Sequence, residues 1–298
     1  MSNGATDTIG ARGVDVELAV LTSVLVHGPI SRTSLAARLS LSQSTMTRAV
    51  KPLVERGLVV ETSEPLEGPG RPSRPLVGSA GPGRYIGIKL TGDEAYGVAT
   101  DMLAQELASE VVALEAHDVD SVVDVIAGLV EALRGDANAM GLGVSLGGSA
   151  ADGRRVDRAP FLGWRGVDLA HLVEARIGIP VVIDNDLSAL TAGEHWFGVA
   201  RGERDFAVVT LGAGVGLGMV REDHVVRTRD IGLGLAGHIP IDPTGPRCPM
   251  GHRGCSSGLI SIPAIEAQAQ IALQRPVDFG EILALAGRGE PAASEIID

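Results

Sequence analysis

Two segments of this chain repeat one order of elements: strand, glycine turn, strand. They begin 121 residues apart, at Tyr85 and Phe206. In the first, Tyr85–Leu90 reads as a buried strand and Thr91-Gly92-Asp93 as a turn, with Ala95–Asp101 and Glu106–Ala113 as further strands. In the second, Phe206–Leu211 and Val215–Val220 flank Gly212-Ala213-Gly214, with room for a third strand beyond. Between the two units, Val119–Arg134 is helical, with Val122, Val123, Ile126, Leu129, Val130 and Leu133 as one wide stripe. Met140–Val144 and Val181–Asp184 read as strands, and Val167–Ile177 and Leu187–Trp196 as helices. Glycine stands at 40 of 298 residues, nearly twice the usual ~7%, with no Gly-X-Y period. It is therefore assigned to turns and close backbone approach.

Two related lobes, each with a glycine turn between its first strands, fit an α/β class. The architecture expected is a duplicated actin/hexokinase-like (ribonuclease H-like) kinase fold over 85–298, with a first lobe at about 85–200 and a second at about 201–298. Turns of this kind can hold nucleotide phosphates through backbone N–H groups, although glycine hairpins without a ligand are also common.

The first 84 residues differ in character. They hold nine Lys/Arg and seven Asp/Glu, net +2, whereas the remainder holds sixteen and thirty, net −14. The apolar spacing of Val14, Leu18, Leu21 and Leu25 makes Val14–Val26 an amphipathic helix, which Gly28-Pro29 stops. Ser31 caps a short helix through Leu39 with Leu35 and Leu39 inside. Ser42 caps a third helix to about Arg56, with Met46, Val50, Leu53 and Val54 on its inner face, and Gly57 ends it. Leu58–Thr62 is β-rich, a Gly/Pro/Arg loop follows, and Leu76-Val77 reads as the returning strand. Three helices and a hairpin in this order predict a winged helix-turn-helix over residues 1–77, joined through a Gly/Pro/Ser linker at 78–84.

The third helix is then the reader of double-stranded DNA. Ser42, Gln43, Ser44, Thr45, Thr47 and Arg48 lie near its start, where hydroxyls, an amide and a cation suit base edges and phosphates. Arg71 and Arg74 on the stiff loop suit a minor groove or phosphate. Lys51 and Arg56 are phosphate contacts or ordinary solvated charges. A generic three-helix bundle with a water-facing third helix is the alternative.

A membrane span is excluded: the longest uncharged apolar stretch, Phe206–Val220, carries four glycines and falls short of ~20 residues. The N-terminus has no secretion signal, and the only cysteines, Cys248 and Cys255, fit a reducing cytoplasm.

Seven motifs stand in order: Gly141-Leu-Gly-Val-Ser, Gly163-Trp-Arg-Gly-Val-Asp-Leu, Ile183-Asp-Asn-Asp, Glu194-His-Trp-Phe-Gly, Val209-Thr-Leu-Gly-Ala-Gly-Val-Gly, Gly237-His-Ile-Pro-Ile-Asp and Cys248-Pro-Met-Gly-His-Arg-Gly-Cys. Together with the order of head and body, from about residue 14 to 290, they resemble the ROK family of repressors, open reading frames and sugar kinases. The winged-helix head makes the chain similar to the family's transcriptional-regulator branch, of the xylose-repressor type.

The resemblance implies a sugar-binding kinase-like body, and the departures from it narrow the function. Where family kinases carry Asp-x-Gly-Gly-Thr, this chain has Lys89-Leu-Thr-Gly-Asp93. The carboxylate of Asp93 would lie where phosphate oxygens belong, at a cost on the order of a kcal/mol or more. Ala213 replaces a phosphate-contacting Thr, and the family's last helices and adenine-contacting segment would follow Asp298. No catalytic residue and no ATP are therefore expected. Asp186 is the equivalent of the kinase base, and with Asn185 it either binds ligand hydroxyls or caps the helix at Leu187. His238 belongs to the implied sugar side, which has lost two carboxylates, at Leu235 and Ser257. The family's zinc ligands map to His238, Cys248 and Cys255, with Met250 in place of a fourth, cysteine ligand. Nearby His252 can substitute, or the loop is metal-free. Trp164 and Trp196 are assigned to the core.

The reading that follows is a cytoplasmic DNA-binding regulator of sugar metabolism, expected to be a repressor. Its expected partners are a palindromic operator, a sugar or sugar-phosphate ligand, and itself as a homodimer or dimer of dimers, with one structural zinc at most and no membrane. The alternatives are an ATP-dependent sugar kinase and a DNA-bound scaffold without a sugar response.

Overall fold

The computed structural model describes residues 13–62, 74–136, 138–150, 152–227 and 236–297. The chain opens with helices α1 (Gly13–His27), α2 (Arg32–Arg38) and α3 (Gln43–Glu55), then strands β1 (Val59–Glu61) and β2 (Leu76–Gly78). The caps are those anticipated. The Ser31 hydroxyl accepts the Ser34 N–H at 3.0 Å and starts α2, and the Ser42 hydroxyl accepts the Thr45 N–H at 3.2 Å and starts α3. Gly57 ends α3 in the left-handed region at φ +68°. β1 and β2 pair antiparallel, and Ile30 adds a further bridge, exchanging both backbone hydrogen bonds with Leu76. This is a winged helix-turn-helix around a core of Val20, Val24, Leu35, Met46, Val50, Leu53 and Leu76.

Two core expectations need correcting. Leu18 is 62% exposed, and Val54 is 39% exposed. Helix α1 is apolar on nearly every side, so spacing alone selects no unique stripe, and packing chose Val20 and Val24. On α3, Ala49 fills the inner face in place of Val54. The expected linker is held down as it leaves β2: the Ser79 N–H donates to the Leu58 carbonyl, and the Met102 N–H to that of Ala80.

The body begins with β3 (Arg84–Leu90), β4 (Glu94–Thr100) and β5 (Glu106–Ala113), an antiparallel meander in which Lys89 opposes Tyr96. Helix α4 (Val119–Arg134) follows, capped by Asp118 and burying all six residues of its stripe. Next come β6 (Ala139–Leu146), the β7 (Val156–Ala159) and β8 (Trp164–Val167) hairpin, α5 (Leu169–Ile177), β9 (Val181–Asn185) and α6 (Asp186–Trp196). The helix expected over Val167–Ile177 therefore starts later, because Trp164–Val167 pairs with β7. Neither strand of that hairpin is among the elements expected from the sequence. The sheet order is β5-β4-β3-β6-β9. The second meander is β10 (Phe206–Leu211), β11 (Val215–Arg221) and β12 (His224–Val225). Helices α7 (Ser256–Ile260), α8 (Ile262–Leu273), α9 (Phe279–Gly287) and α10 (Pro291–Ile297) close the chain, the last three packed around Ala269, Ile282 and Ala293.

The chain divides into two compact units. One comprises the chain up to Val144 together with Ala170–Val182 and Gly193–Glu203. The other comprises Ser145–Leu169, Ile183–Ala192 and the chain from Arg204 onward. Among the described residues, no helix is long and apolar enough to cross a membrane.

Candidate functional site

In the first unit, Gln43, Ser44, Thr47, Arg48 and Lys51 are all exposed on α3. Their spacing of one, three and four residues places them on one helical face. Ser42 and Thr47 are partly committed to the helix itself. Ser42 is its cap, and the Thr47 hydroxyl donates to the Gln43 carbonyl at 2.9 Å. The Thr45 and Ser44 hydroxyls each lie 2.9 Å from that of Ser42. Gln43 and Arg48 extend from this stiffened first turn, while Lys51 reaches Glu55 at 3.7 Å. Arg56 lies 3.8 Å from Glu17, as an ordinary surface pair. Arg74 is exposed where the wing returns, and Arg71 lies outside the described residues.

The first glycine turn closes on itself. The Thr91 side-chain oxygen accepts the N–H groups of Asp93 (3.2 Å) and Glu94 (2.9 Å) and donates to the Glu94 carbonyl. The Thr91 N–H also goes to the Glu94 carbonyl. The Thr91, Asp93 and Glu94 amides of this turn are thus occupied, and Asp93 is exposed beside them.

In the second unit, two glycines serve close backbone approach, one of the two uses expected of the glycine excess. A Cβ on Gly218 would lie 1.9 Å from the Thr191 hydroxyl oxygen, and one on Gly216 would lie 2.7 Å from the Leu187 side chain. These two glycines let α6 sit directly on β11. Gly212 and Gly214, in the turn itself, have open space around them.

That packing positions the first turn of α6. Asn185 is buried and fully engaged: its amide nitrogen donates to the Gly148 carbonyl at 2.9 Å, and its oxygen accepts the Leu187 and Ser188 N–H groups at 3.0 Å each. It is the helix cap. Asp186 is half-buried. Its Oδ1 accepts the Leu187 N–H at 2.9 Å, while Oδ2 accepts from no donor among the described residues. The adjacent Asp184 is paired with Arg227, whose nitrogen lies 2.6 and 2.8 Å from its two oxygens. Between these two aspartates, Asp186 is thus the one with an oxygen that no described donor takes. Leu235 falls outside the described residues. Ser257 lies under Gly237, where a Cβ would come within 2.8 Å of its hydroxyl.

His238, Cys248 and Cys255 do come together, and His252 joins them. The four ligand atoms lie within 4.8 Å of one another. His238 Nδ1 is 3.6 Å from Cys255 Sγ and 3.7 Å from Cys248 Sγ, and His252 Nδ1 is 3.7 Å from Cys248 Sγ. A tetrahedron with Zn–S near 2.3 Å and Zn–N near 2.05 Å has S···N edges of about 3.6 Å, so the spacing fits. Met250, in the position of the missing cysteine, is 67% exposed. Burial acts to raise the Cys248 thiol, but hydrogen bonding from Cys255 and from the backbone of Met250, His252 and Gly251 outweighs it and holds the thiol below its ordinary value. That favours thiolate, the ligating form. Gly254 is required in this loop: its φ is +58°, and a Cβ would meet the Asp242 carbonyl at 1.4 Å. Trp164 is buried, as expected of a core residue, whereas Trp196, assigned there too, is only half-buried at the end of α6.

The arrangement offers a helix face suited to a nucleic-acid groove, a helix start with one available carboxylate, and a Cys2His2 cage. Comparison with known proteins agrees in kind. The pattern of the ROK family matches residues 85–298, and that of the MarR family matches residues 15–65. The chain is 26% identical to a xylose repressor of Bacillus spizizenii, over 90% of this chain and 71% of the relative. It is 27% identical to the DNA-binding transcriptional repressor Mlc of Escherichia coli, over 91% and 71%. Among solved structures, a ROK family transcriptional regulator homologous to Mlc superposes with a TM-score of 0.78 at 23% identity, covering 96% of this chain and 77% of that one. A ROK family glucokinase from Streptomyces griseus superposes with a TM-score of 0.62 at 27% identity, covering 72% and 74%.

Proposed function

This chain belongs to the ROK family, and from that premise we propose that it is a DNA-binding transcriptional repressor of sugar metabolism. The observation that carries this reading is the capped α3, whose exposed face of Gln43, Ser44, Thr47, Arg48 and Lys51 is borne by a winged helix ahead of a kinase-like body. In this reading residues 1–77 bind operator DNA, 78–84 connect, and 85–298 form the effector domain. Gln43 and Arg48 read base edges, Ser44, Thr47 and Lys51 contact phosphates, and Arg71 and Arg74 place the wing. Two copies set their α3 helices one helical turn of DNA apart, about 34 Å, on a palindromic site.

The effector domain takes a sugar or sugar phosphate, with Asp186 accepting a hydroxyl. The ligand changes operator affinity by binding one conformation better than the other. His238, Cys248, His252 and Cys255 would hold one structural zinc, which would fix the loop that carries His238. Phosphoryl transfer is not part of this reading. The Thr91 turn has its Thr91, Asp93 and Glu94 amides occupied, and Lys89 stands where a kinase has its metal-organising Asp. The protein acts in the cytoplasm, where its DNA is.

The test is selection of a binding site from random duplex DNA, then affinity measured across salt concentrations. The expected result is a palindromic site whose affinity falls steeply with salt. Arg48→Ala should bind more weakly and discriminate less between bases. Salt-sensitive binding with no sequence preference would overturn the reading, as would ADP release with a hexose that is abolished by Asp186→Asn.

A further inference from the structure

Arg201 lies in the loop that follows α6, and its guanidinium grips the end of α1. Its Nη2 donates to the carbonyls of Leu25 (2.8 Å) and Gly28 (3.0 Å), and its Nε donates to that of Val26 (3.1 Å). These are among the carbonyls a helix leaves unpaired at its C-terminus, where a cation is also favoured by the dipole. Immediately beyond them, Ile30 is locked to Leu76 of the wing, and Ser31 caps α2. The grip therefore acts where the chain turns from α1 into the helix-turn-helix.

The loop that carries Arg201 is itself fixed to α6. The Phe197 and Gly198 N–H groups return to the Gly193 carbonyl, and the Val199 N–H donates to the Glu194 carboxylate at 3.0 Å. A Cβ on Gly198 would lie 2.1 Å from that carboxylate and 2.8 Å from the Glu194 Cα, a backbone atom that cannot swing aside, which favours glycine there. At its other end, α6 starts with Asn185 and Asp186. The helix rises about 16 Å over its eleven residues and has no glycine or proline break before Gly193 near its end. Its first turns, to Ala192, belong to the second unit. Gly193 onward, with Arg201, belongs to the unit that contains the winged helix.

We propose that Arg201 is a positioning residue that couples the start of α6 to the DNA-reading head, so that displacement of Asp186 by a bound polyhydroxyl ligand reaches α1 through the helix and the guanidinium. This rests on the reading of the protein as a DNA-binding regulator. It adds the route by which the ligand site acts on the reader. Arg201 needs no contact with DNA, and its fork holds three carbonyls at once, which a lysine cannot reproduce.

The test uses the full chain and the duplex that wild-type protein selects from random DNA. If wild type selects none, the regulator reading falls and this proposal falls with it. Given a selected site, Arg201→Ala and Arg201→Lys should each change its affinity on the order of tenfold, with an unchanged salt slope. Arg204→Ala, three residues away and paired with Asp223, should bind as wild type. Amide exchange at residues 24–30 should rise in Arg201→Ala. Asp186→Asn should change affinity in the wild-type background and have no effect in the Arg201→Ala background, a non-additive cycle. Asn185→Ala serves as a second perturbation of the same helix start. Unchanged affinity in Arg201→Ala would overturn the proposal while leaving the regulator reading intact. Strictly additive effects would do the same. A salt slope reduced by one contact would instead make Arg201 a phosphate ligand and overturn it.

Discussion

Replacing Gly218 with alanine should loosen the seat of α6 on β11, and the size of the effect follows from the contacts. The new Cβ would lie 1.9 Å from the Thr191 hydroxyl oxygen, 3.1 Å from its Cβ and 3.4 Å from its Cγ2. Thr191 is fully buried, and its hydroxyl donates to the Leu187 carbonyl at 2.7 Å, so it cannot rotate away without breaking that bond. Overpacking of this kind costs about 1–3 kcal/mol. Alanine also restricts the unfolded chain, which favours folding by about 0.4–1 kcal/mol. The clash should win, leaving a net loss of about 0.5–2 kcal/mol. Urea unfolding of wild type, Gly218→Ala, Thr191→Ala and the double variant measures it. Thr191→Ala removes the oxygen at 1.9 Å, so the double variant should recover most of the loss, and the cycle should show a coupling of about 1 kcal/mol. Displacement of α6 also moves Asp186, so sugar-induced thermal shifts should weaken in Gly218→Ala and return in the double variant. A Gly218→Ala protein as stable as wild type would refute the argument, and so would additive effects.

The cage around His238 should hold one zinc per chain by elemental analysis. His252→Ala should lose most of it, and Met250→Ala, altering an exposed side chain outside the cage, should keep it. Ser42→Ala removes the acceptor for the Thr45 N–H. It should cost about 1 kcal/mol and weaken operator binding together, read by thermal unfolding and fluorescence anisotropy. The Asp118 carboxyl is held below its ordinary value by the backbone N–H and the side chain of Ser121. Its stabilisation is therefore complete above the unfolded-state pKa, about 3.9, and is lost as pH falls through the lower folded value. Asp118→Asn keeps a capping acceptor that does not titrate, so its melting temperature should fall less steeply below pH 4 than that of wild type. Equal acid slopes would contradict this.

The sequence by itself determined what depends on neighbours within a few residues. Ser31, Ser42 and Asp118 are caps because a side-chain oxygen meets an N–H three residues on, and that spacing is written in the chain. The two meanders and the six-residue stripe of α4 follow from periods of 2 and 3.6. His238, Cys248 and Cys255, three of the four residues that could hold a metal ion, were legible through the family motif. His252 was legible only as a neighbour, because its place in the cage depends on how the loop folds back across Gly251 and Gly254.

Tertiary structure decided the rest. On the nearly all-apolar α1, packing chose Val20 and Val24 and left Leu18 in water. In sequence, Gly216 ends the motif of the second glycine turn and Gly218 sits within the expected strand Val215–Val220. They are required because α6 lies on that strand, a fact about a helix more than twenty residues earlier in the chain. The turn at Thr91 looks like an open loop until its own hydroxyl is seen to take the amides. Arg201 reads as one surface arginine among many, yet it meets carbonyls 173 to 176 residues away. Periodicity and capping act over one or two turns of chain, whereas such contacts exist only once the fold has brought distant segments together.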